Sequence, residues 1–391
     1  MNTSNQSISF KSFLHKEKYE LFFFLICIIL SGYTSILSLT AGLFLLVLYY
    51  FSIRKARLSL FFSIDFSILS IALFITFCTN IFNNYSLLNA IRHPLPMLCA
   101  YLLGKYYGYR YKSEDVFIFL LFFLAIAVGL LHIIDTMNDI IKIGIVNPER
   151  RLSTMDEEQR AVTQRTTELS LCIACFCMFF IPKRELKMPI FKYLYLCLSF
   201  IATICVLHYT SRTGVAILVI TIFIGILYRW GLTIKSFIFI LLSFITYVYF
   251  QESELFIVYA ERSSDSNNIM NAGLRTDQWA WGLQFLWDNP TGQVFSKEYR
   301  LPHFSHNFWL DYGISYSLLS ALLIAIFSIR NIIISINIKK KVSKNMSLIL
   351  LTFSFVFFVC LFTEPIIYGA PNYLMVYLLF CGFVESLNKN S

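Results

Sequence analysis

Apolar stretches of roughly 20 residues, the length at which a helix crosses a bilayer core, recur from Glu20 to Leu387 and are separated by polar punctuation. The spacing predicts twelve spans, over 20–35, 37–53, 58–80, 87–104, 116–135, 167–182, 189–208, 214–229, 236–252, 307–330, 346–364 and 371–387. The first two come from one continuous run, Leu21 to Ile53, read as a hairpin turning near Ser31 to Thr34. No internal repeat, Pro-rich or Gly/Ser linker, or soluble domain breaks the pattern. Residues 1–391 therefore read as a single all-α polytopic membrane domain.

Composition agrees. Apolar residues make up 57% and charged residues 14% of the chain, with 40 Phe and 23 Tyr, which excludes an ordinary soluble globular protein. A formal charge of +9 would suggest nucleic acid in a soluble chain, but here Lys and Arg cluster between apolar runs, where membrane orientation accounts for them. With both termini cytoplasmic, 21 of the 32 basic residues fall in inside segments. A single span across 21–53 would invert every later orientation, which favours the hairpin. Met1 to Glu20 is polar and carries Lys11, Lys16 and Lys18, so no removable signal peptide is expected. All ten Cys lie in apolar runs, and Cys172-x-x-Cys175 has no His or carboxylate nearby in sequence; inert buried thiols are expected.

Two outer segments exceed connector length, and such loops tend to carry function. Residues 136–166 form the first, with five acidic and five basic side chains, and residues 253–306 are the largest polar stretch. Within the second, Leu274 to Asp288 puts Trp279, Leu283, Leu286 and Trp287 at helical spacing on one side, with Arg275 in the first turn. An amphipathic helix resting on the outer headgroup layer is expected there.

Several charged residues sit where a membrane protein has to justify them. Arg212, in His208-Tyr209-Thr210-Ser211-Arg212-Thr213-Gly214, stands at an outer membrane boundary just before an apolar helix. It reads either as a snorkelling anchor or as a guanidinium for a bound phosphate. Arg275 reads as a headgroup contact or as a second anion site facing Arg212. His303 and His306 lack the further ligands of a zinc site; His306 reads as a general base beside a reactive centre or as a structural cap. Glu364, before Pro365, is an exposed helix-end carboxylate, a partner for an arginine, or a ligand for sugar hydroxyls. Asp65 and Arg92 are ionisable groups inside spans without an assigned role. Arg150, Arg151, Arg160 and Arg165 read either as a group that gathers phosphate or acidic sugar or, given the interleaved Asp156, Glu157 and Glu158, as a salt-bridged surface, which is favoured. No P-loop, GxGxxG, GxSxG or DxD-like metal pair occurs. No cofactor or metal is expected, and an enzyme at this face would need an already activated, membrane-carried donor.

Taken in series, Arg212 in Ser211-Arg212-Thr213-Gly214, Arg275 in a helix ending at Asp288-Asn289-Pro290-Thr291-Gly292, and His306-Asn307-Phe308-Trp309-Leu310-Asp311 resemble the bacterial O-antigen polymerase and O-antigen ligase superfamily over roughly residues 205–385. The resemblance implies a GT-C-type glycosyltransferase of the inner membrane, metal-independent and inverting, with its active site facing the periplasm and acting on glycans linked to undecaprenyl pyrophosphate. Arg212 and Arg275 would bind and stabilise the pyrophosphate leaving group, and His306 would orient or deprotonate the attacking hydroxyl. Asn307, His303, Asp311, Glu364 and Tyr209 would contact substrate. The Phe-rich character, the form of the His306 motif, Glu364-Pro365 and the missing later glycines look more like a polymerase than a ligase that transfers the finished chain to lipid A-core. A chain-length regulator of the polysaccharide co-polymerase type is the implied partner. A flippase or transporter is the competing class, but such proteins place charges near the midplane and carry paired halves.

Overall fold

The computed structural model describes residues 63–92, 94–110, 114–145, 158–186, 189–231, 233–250, 275–294, 305–338, 341–364 and 370–389, together with Tyr19, Val47, Tyr49, Asn147, Ile257 and Ile366. The expected hairpin over 20–53, most of the large loop and His303 lie outside the described residues. Helices account for the architecture, and no strand occurs among the described residues. In chain order they are α1 (Ile64–Phe82), α2 (Leu87–Ile91), α3 (Pro94–Arg110), α4 (Glu114–Ile143), α5 (Glu158–Ala174), α6 (Pro189–His208), α7 (Arg212–Gly225), α8 (Ile234–Phe250), α9 (Arg275–Asp288), α10 (Phe308–Ser315), α11 (Leu318–Asn337), α12 (Lys344–Thr363) and α13 (Pro371–Lys389).

Among the described residues six helical segments are long and apolar enough to cross a membrane: α1, α4, α6, the stretch Arg212–Trp230, α11 and α12. The fold is that of a helical membrane protein with several membrane-crossing helices, although the expected count of twelve is not reproduced. The span at 189–208 coincides with α6. Others differ for visible reasons. The apolar run of α4 continues as a helix to Ile143, and α5 starts at Glu158, so both ends of the expected 136–166 loop are helical. The expected span at 307–330 is two helices. They break at Tyr316 and Ser317, where the Ser317 hydroxyl caps α11 by accepting from Ser320 N. The groups released by the break find partners, as buried backbone in a membrane protein requires. The Thr79 hydroxyl donates to Tyr316 O (3.3 Å), and Leu318 N donates to Pro290 O (2.9 Å).

The expected span at 87–104 is likewise replaced by the short α2 and by α3, which runs on to Arg110. Its partner is α13, in the most extensive helix pairing among the described residues. Gly104 and Gly108 on α3 and Gly382 on α13 make that approach possible: a Cβ on Gly104 would lie 1.9 Å from Leu379 O, and one on Gly382 2.1 Å from Tyr101 O. Small residues four apart are how helices approach closely where lipid supplies no hydrophobic drive.

Lys105, expected in an inside loop, is 1% exposed within this pairing. A buried ammonium is tolerable only if paired and fully hydrogen-bonded. Its Nζ lies 3.4 Å from Glu385 Oε1 and donates to the Ser63 hydroxyl at 2.9 Å, while the Tyr101 hydroxyl donates to the other oxygen of Glu385. One helix away Arg330 Nε donates to Asp65 Oδ1 at 2.6 Å. Thus α1, α3, α11 and α13 are fastened at the end of the bundle where Ser343 starts α12, and Asp65 has its partner. The rest of the core centres on α12, most of whose residues are buried.

The crowding at the glycines predicts that Gly104→Ala and Gly382→Ala each lower stability, by about 1–3 kcal/mol as overpacked sites do. Thermal unfolding of the detergent-solubilised protein, followed by size-exclusion chromatography, checks this; unchanged melting in both variants contradicts the close approach.

Candidate functional site

At the opposite end of the bundle the α6–α7 turn is built by local backbone bonds and held by neighbours. Thr210 N donates to Leu207 O and Ser211 N to Val206 O, with Thr210 in the left-handed region (φ +50°). Ser211 caps α7 by accepting from Gly214 N at 3.3 Å. The glycine of the Ser-Arg-Thr-Gly segment has a packing reason, since a Cβ there would lie 1.9 Å from Val206 Cγ1. From α4 and beyond, the His208 ring nitrogen Nδ1 meets Ile145 O at 3.0 Å and Asn147 N donates to His208 O at 3.1 Å.

Behind the turn lies a buried polar cluster, in which Arg165 also faces Asp135 at 3.7 Å. The Arg165 guanidinium donates to Asp139 Oδ2 (2.5 Å) and to the Tyr209 hydroxyl (2.7 Å), and that hydroxyl donates to Asp139 Oδ2 (2.6 Å). The Arg165, Asp139 and Tyr209 side chains are buried. Burial, and then the bond to Asp139, push the Tyr209 phenol well above its ordinary pKa, so it stays a donor. Tyr209, expected to contact substrate, thus has its hydroxyl committed to this cluster, and Arg165 is an interior ion pair and not part of a surface. Deeper on the same helices, His132 Nε2 faces Glu168 Oε2 at 2.5 Å. Sequence reasoning missed Asp139, His132 and Glu168. The available signal was Asp135 and Asp139 four apart on the continuation of an apolar helix, with Arg165 in the next helix.

Three sequence motifs converge on the C-terminal end of α12. The Thr213 hydroxyl, beside Arg212, donates to Glu364 Oε1. Glu364 is buried and caps α12, which answers the exposed-carboxylate reading of this residue. Two residues back, Phe362 O accepts from Asn307 Nδ2 at 3.4 Å, beside His306. The Phe362 ring in turn packs edge-on against Trp279 of α9, at 4.8 Å between centroids, and Arg275 is the first residue of that helix. Arg212 is half-buried at the first position of α7 and makes no hydrogen bond or ion pair with a described residue.

The His306 turn has its own clamp. His306 takes φ +53° and is half-buried. Asn307 caps α10 by accepting from Trp309 N and Leu310 N. Asp311 Oδ1 reaches back to accept from Ser305 N (2.8 Å) and the Ser305 hydroxyl (2.7 Å). The other oxygen, Oδ2, is buried without a hydrogen-bond partner among the described residues. At eight residues, about 12 Å, α10 is too short to cross a bilayer by itself, and Asp311 lies outside the six candidate spans. Burial raises its carboxyl to about 6 against the opposing donors of Ser305 and Asn307, which brings its protonation within reach of mildly acidic pH. Asp311 therefore shapes the turn around His306.

Chemically, a guanidinium at a helix N-terminus suits an anion, and a half-buried imidazole suits proton transfer. No group of three or more metal-ligating side chains occurs among the described residues. Arg92 ends α2. Arg150 and Arg151 lie outside the described residues, and the side chains of Arg160 and Arg275 are not described. Compared with known proteins, the chain matches no protein-family model and no curated protein sequence.

Removing Asp139 strands a buried guanidinium, an effect of about 3–5 kcal/mol. Asp139→Ala is expected to unfold at markedly lower temperature, and adding Arg165→Met to restore much of the loss; equal melting of both variants contradicts the pairing. For Asp311 the folded chain binds the proton more tightly than the unfolded chain. Its contribution to stability is therefore full below the ordinary carboxyl range and lost as pH rises through about 6. Asp311→Asn, which resembles the protonated form, should fold and flatten the dependence of melting temperature on pH across that window, as read by thermal unfolding in a pH series.

Proposed function

We propose that this protein is a glycosyltransferase of the bacterial inner membrane that joins oligosaccharide repeat units carried on undecaprenyl pyrophosphate, an O-antigen polymerase working at the periplasmic face with both termini in the cytoplasm. The observation that carries the reading is the meeting of the Arg212 turn, α9 and the His306 turn at Phe362 to Glu364, over sequence separations that only folding closes.

In this reading the diphosphate of the donor lies against Arg212 and the N-terminus of α7, and Arg275 contributes from the start of α9. The acceptor hydroxyl on the incoming lipid-linked unit attacks the anomeric carbon of the donor chain. Its proton passes to His306, the new C–O bond forms with inversion, and the bond to the phosphate oxygen breaks, leaving undecaprenyl pyrophosphate. The charge that develops on the leaving oxygen is what the arginines stabilise. Asn307 and Asp311 hold the His306 turn, and Glu364, as acceptor for Thr213, fixes the first turn of α7. Substrate contacts by His303 and a chain-length regulator of the co-polymerase type belong to the same proposal.

The lipopolysaccharide ladder of a strain lacking the gene tests it. The expected outcome is lipid A-core bearing one repeat unit and no longer chains, with full ladders restored by the intact gene. Arg212→Ala and His306→Ala, at normal protein levels, are expected to reduce elongation by roughly 100-fold or more. Core without any repeat, while long chains accumulate on undecaprenyl pyrophosphate, would identify a ligase instead. Full ladders from both variants would remove the catalytic reading.

A further inference from the structure

The sequence pattern placed Trp279, Leu283, Leu286 and Trp287 on one apolar side of α9, but the structure divides them between two faces. One face packs on the protein: Phe285 and Leu286 bury against Ile314, Gly282 sits close to Ile314 and Leu310, and Trp279 meets Phe362. A second face, made of Asp277, Trp281, Gln284 and Asp288, is exposed and mostly polar: Trp281, at 37% exposed, stacks on Phe285 toward the protein side, and Gln284 Nε2 donates to Asp288 Oδ2 at 3.0 Å. Between these two runs a third line, Thr276, Ala280, Leu283 and Trp287, spaced by three and four residues. It is exposed too, with Leu283 at 60% and Trp287 at 81%. A helix with protein, water and an outward apolar stripe in that order around its axis is matched to a boundary between two solvents.

The position of the helix says which solvent covers the stripe. Pro290 O, just past the end of α9, accepts from Leu318 N, the first residue of the candidate span α11. Leu318 also packs against the cluster of Phe285, Leu286 and Ile314. The outward row of α11 then begins at once, with Leu319, Leu322, Ile326, Ile329 and Ile333 each about half exposed, a run suited to lipid contact in a candidate membrane-crossing helix. The Trp287 end of α9 is therefore fixed at the level where that lipid-facing row starts. We infer that α9 lies along the membrane boundary with Leu283 and Trp287 inserted in the outer edge of the acyl region and Asp277, Gln284 and Asp288 turned to water. The inference stands on packing and exposure alone and does not depend on the proposed reaction.

Tryptophan fluorescence of the full chain in lipid nanodiscs, whose two faces are both open to solvent, tests it. The lipid probe is phosphatidylcholine brominated either near the ester linkage or near the methyl ends, and the aqueous probe is iodide. The difference between the intact protein and Trp287→Phe isolates the Trp287 signal. The expected result is quenching of that signal by the shallow bromines, within about 10 Å of the headgroups, less by the deep ones, and little by iodide. Quenching by iodide without quenching by bromolipid overturns the inference and leaves the stripe in water. Protection from both probes overturns it in favour of a covering protein surface, such as a second copy. Leu283→Trp in the Trp287→Phe background reads the same depth one turn earlier, and must show the same pattern for the inference to hold.

Discussion

Charge cannot be left alone inside a helical bundle bathed in lipid, because no water is at hand to solvate it. In this protein that constraint fastens helices to one another. At one end, Lys105 with Glu385 and Arg330 with Asp65 join α1, α3, α11 and α13. At the other, Arg165 with Asp139 and Tyr209 joins α4, α5 and the α6–α7 turn. Each pair links positions far apart in sequence, so each fixes a register between helices that apolar contacts alone would specify loosely. Whether such pairs add net stability is a separate matter, since desolvation offsets much of the attraction; what they exclude is any packing that would leave one partner buried without the other.

Against this background Arg212 stands out by contrast. Lys105, Arg165 and Arg330 are held by carboxylates, whereas Arg212 has no such partner among the described residues. The nearest acid in the hydrogen-bond pattern, Glu364, is engaged by Thr213. The turn that carries Arg212 is also anchored from several sides, by Ile145, Asn147, Asp139 and Arg165. Rigid support around a guanidinium with no partner among the described residues fits the proposed role of Arg212, because preorganisation lowers the entropy lost on binding.

Much of this was legible in the sequence, and the misses have physical causes. Long apolar runs bounded by Pro or Ser, such as α6, are recognised because length and hydropathy suffice. Hydropathy cannot see a run that stays helical after turning polar, which is why α4 continues past Asp139 into a segment read as loop. Nor can it see a break within an apolar run: α10 and α11 part at Tyr316 and Ser317 because Thr79 and Pro290, remote in sequence, accommodate the freed backbone groups. Lys105 was read as a loop residue on charge alone, since its partner Glu385 is 280 positions away. The residues of the candidate site were visible one by one, but Ser211 and Asn307, residue types that favour N-caps, were not read as caps, and His306, read in one alternative as a cap, precedes the residue that caps α10. Their meeting at Phe362 was not visible, because it depends on where α12 ends relative to two other chain segments.

That end of α12 is the point on which the candidate site turns. A single residue pair, Phe362 and Glu364, receives a side-chain amide from the α10 cap, a hydroxyl from the first turn of α7 and an aromatic edge from α9. Each of these contacts is modest alone, a neutral hydrogen bond contributing about 1 kcal/mol and one to a carboxylate about 1.5–3 kcal/mol. Because they share one backbone end, however, movement of any one arm disturbs the others, and α12 itself is enclosed along most of its length. The buried helix acts as a fixed post, and the three arms take their positions from it.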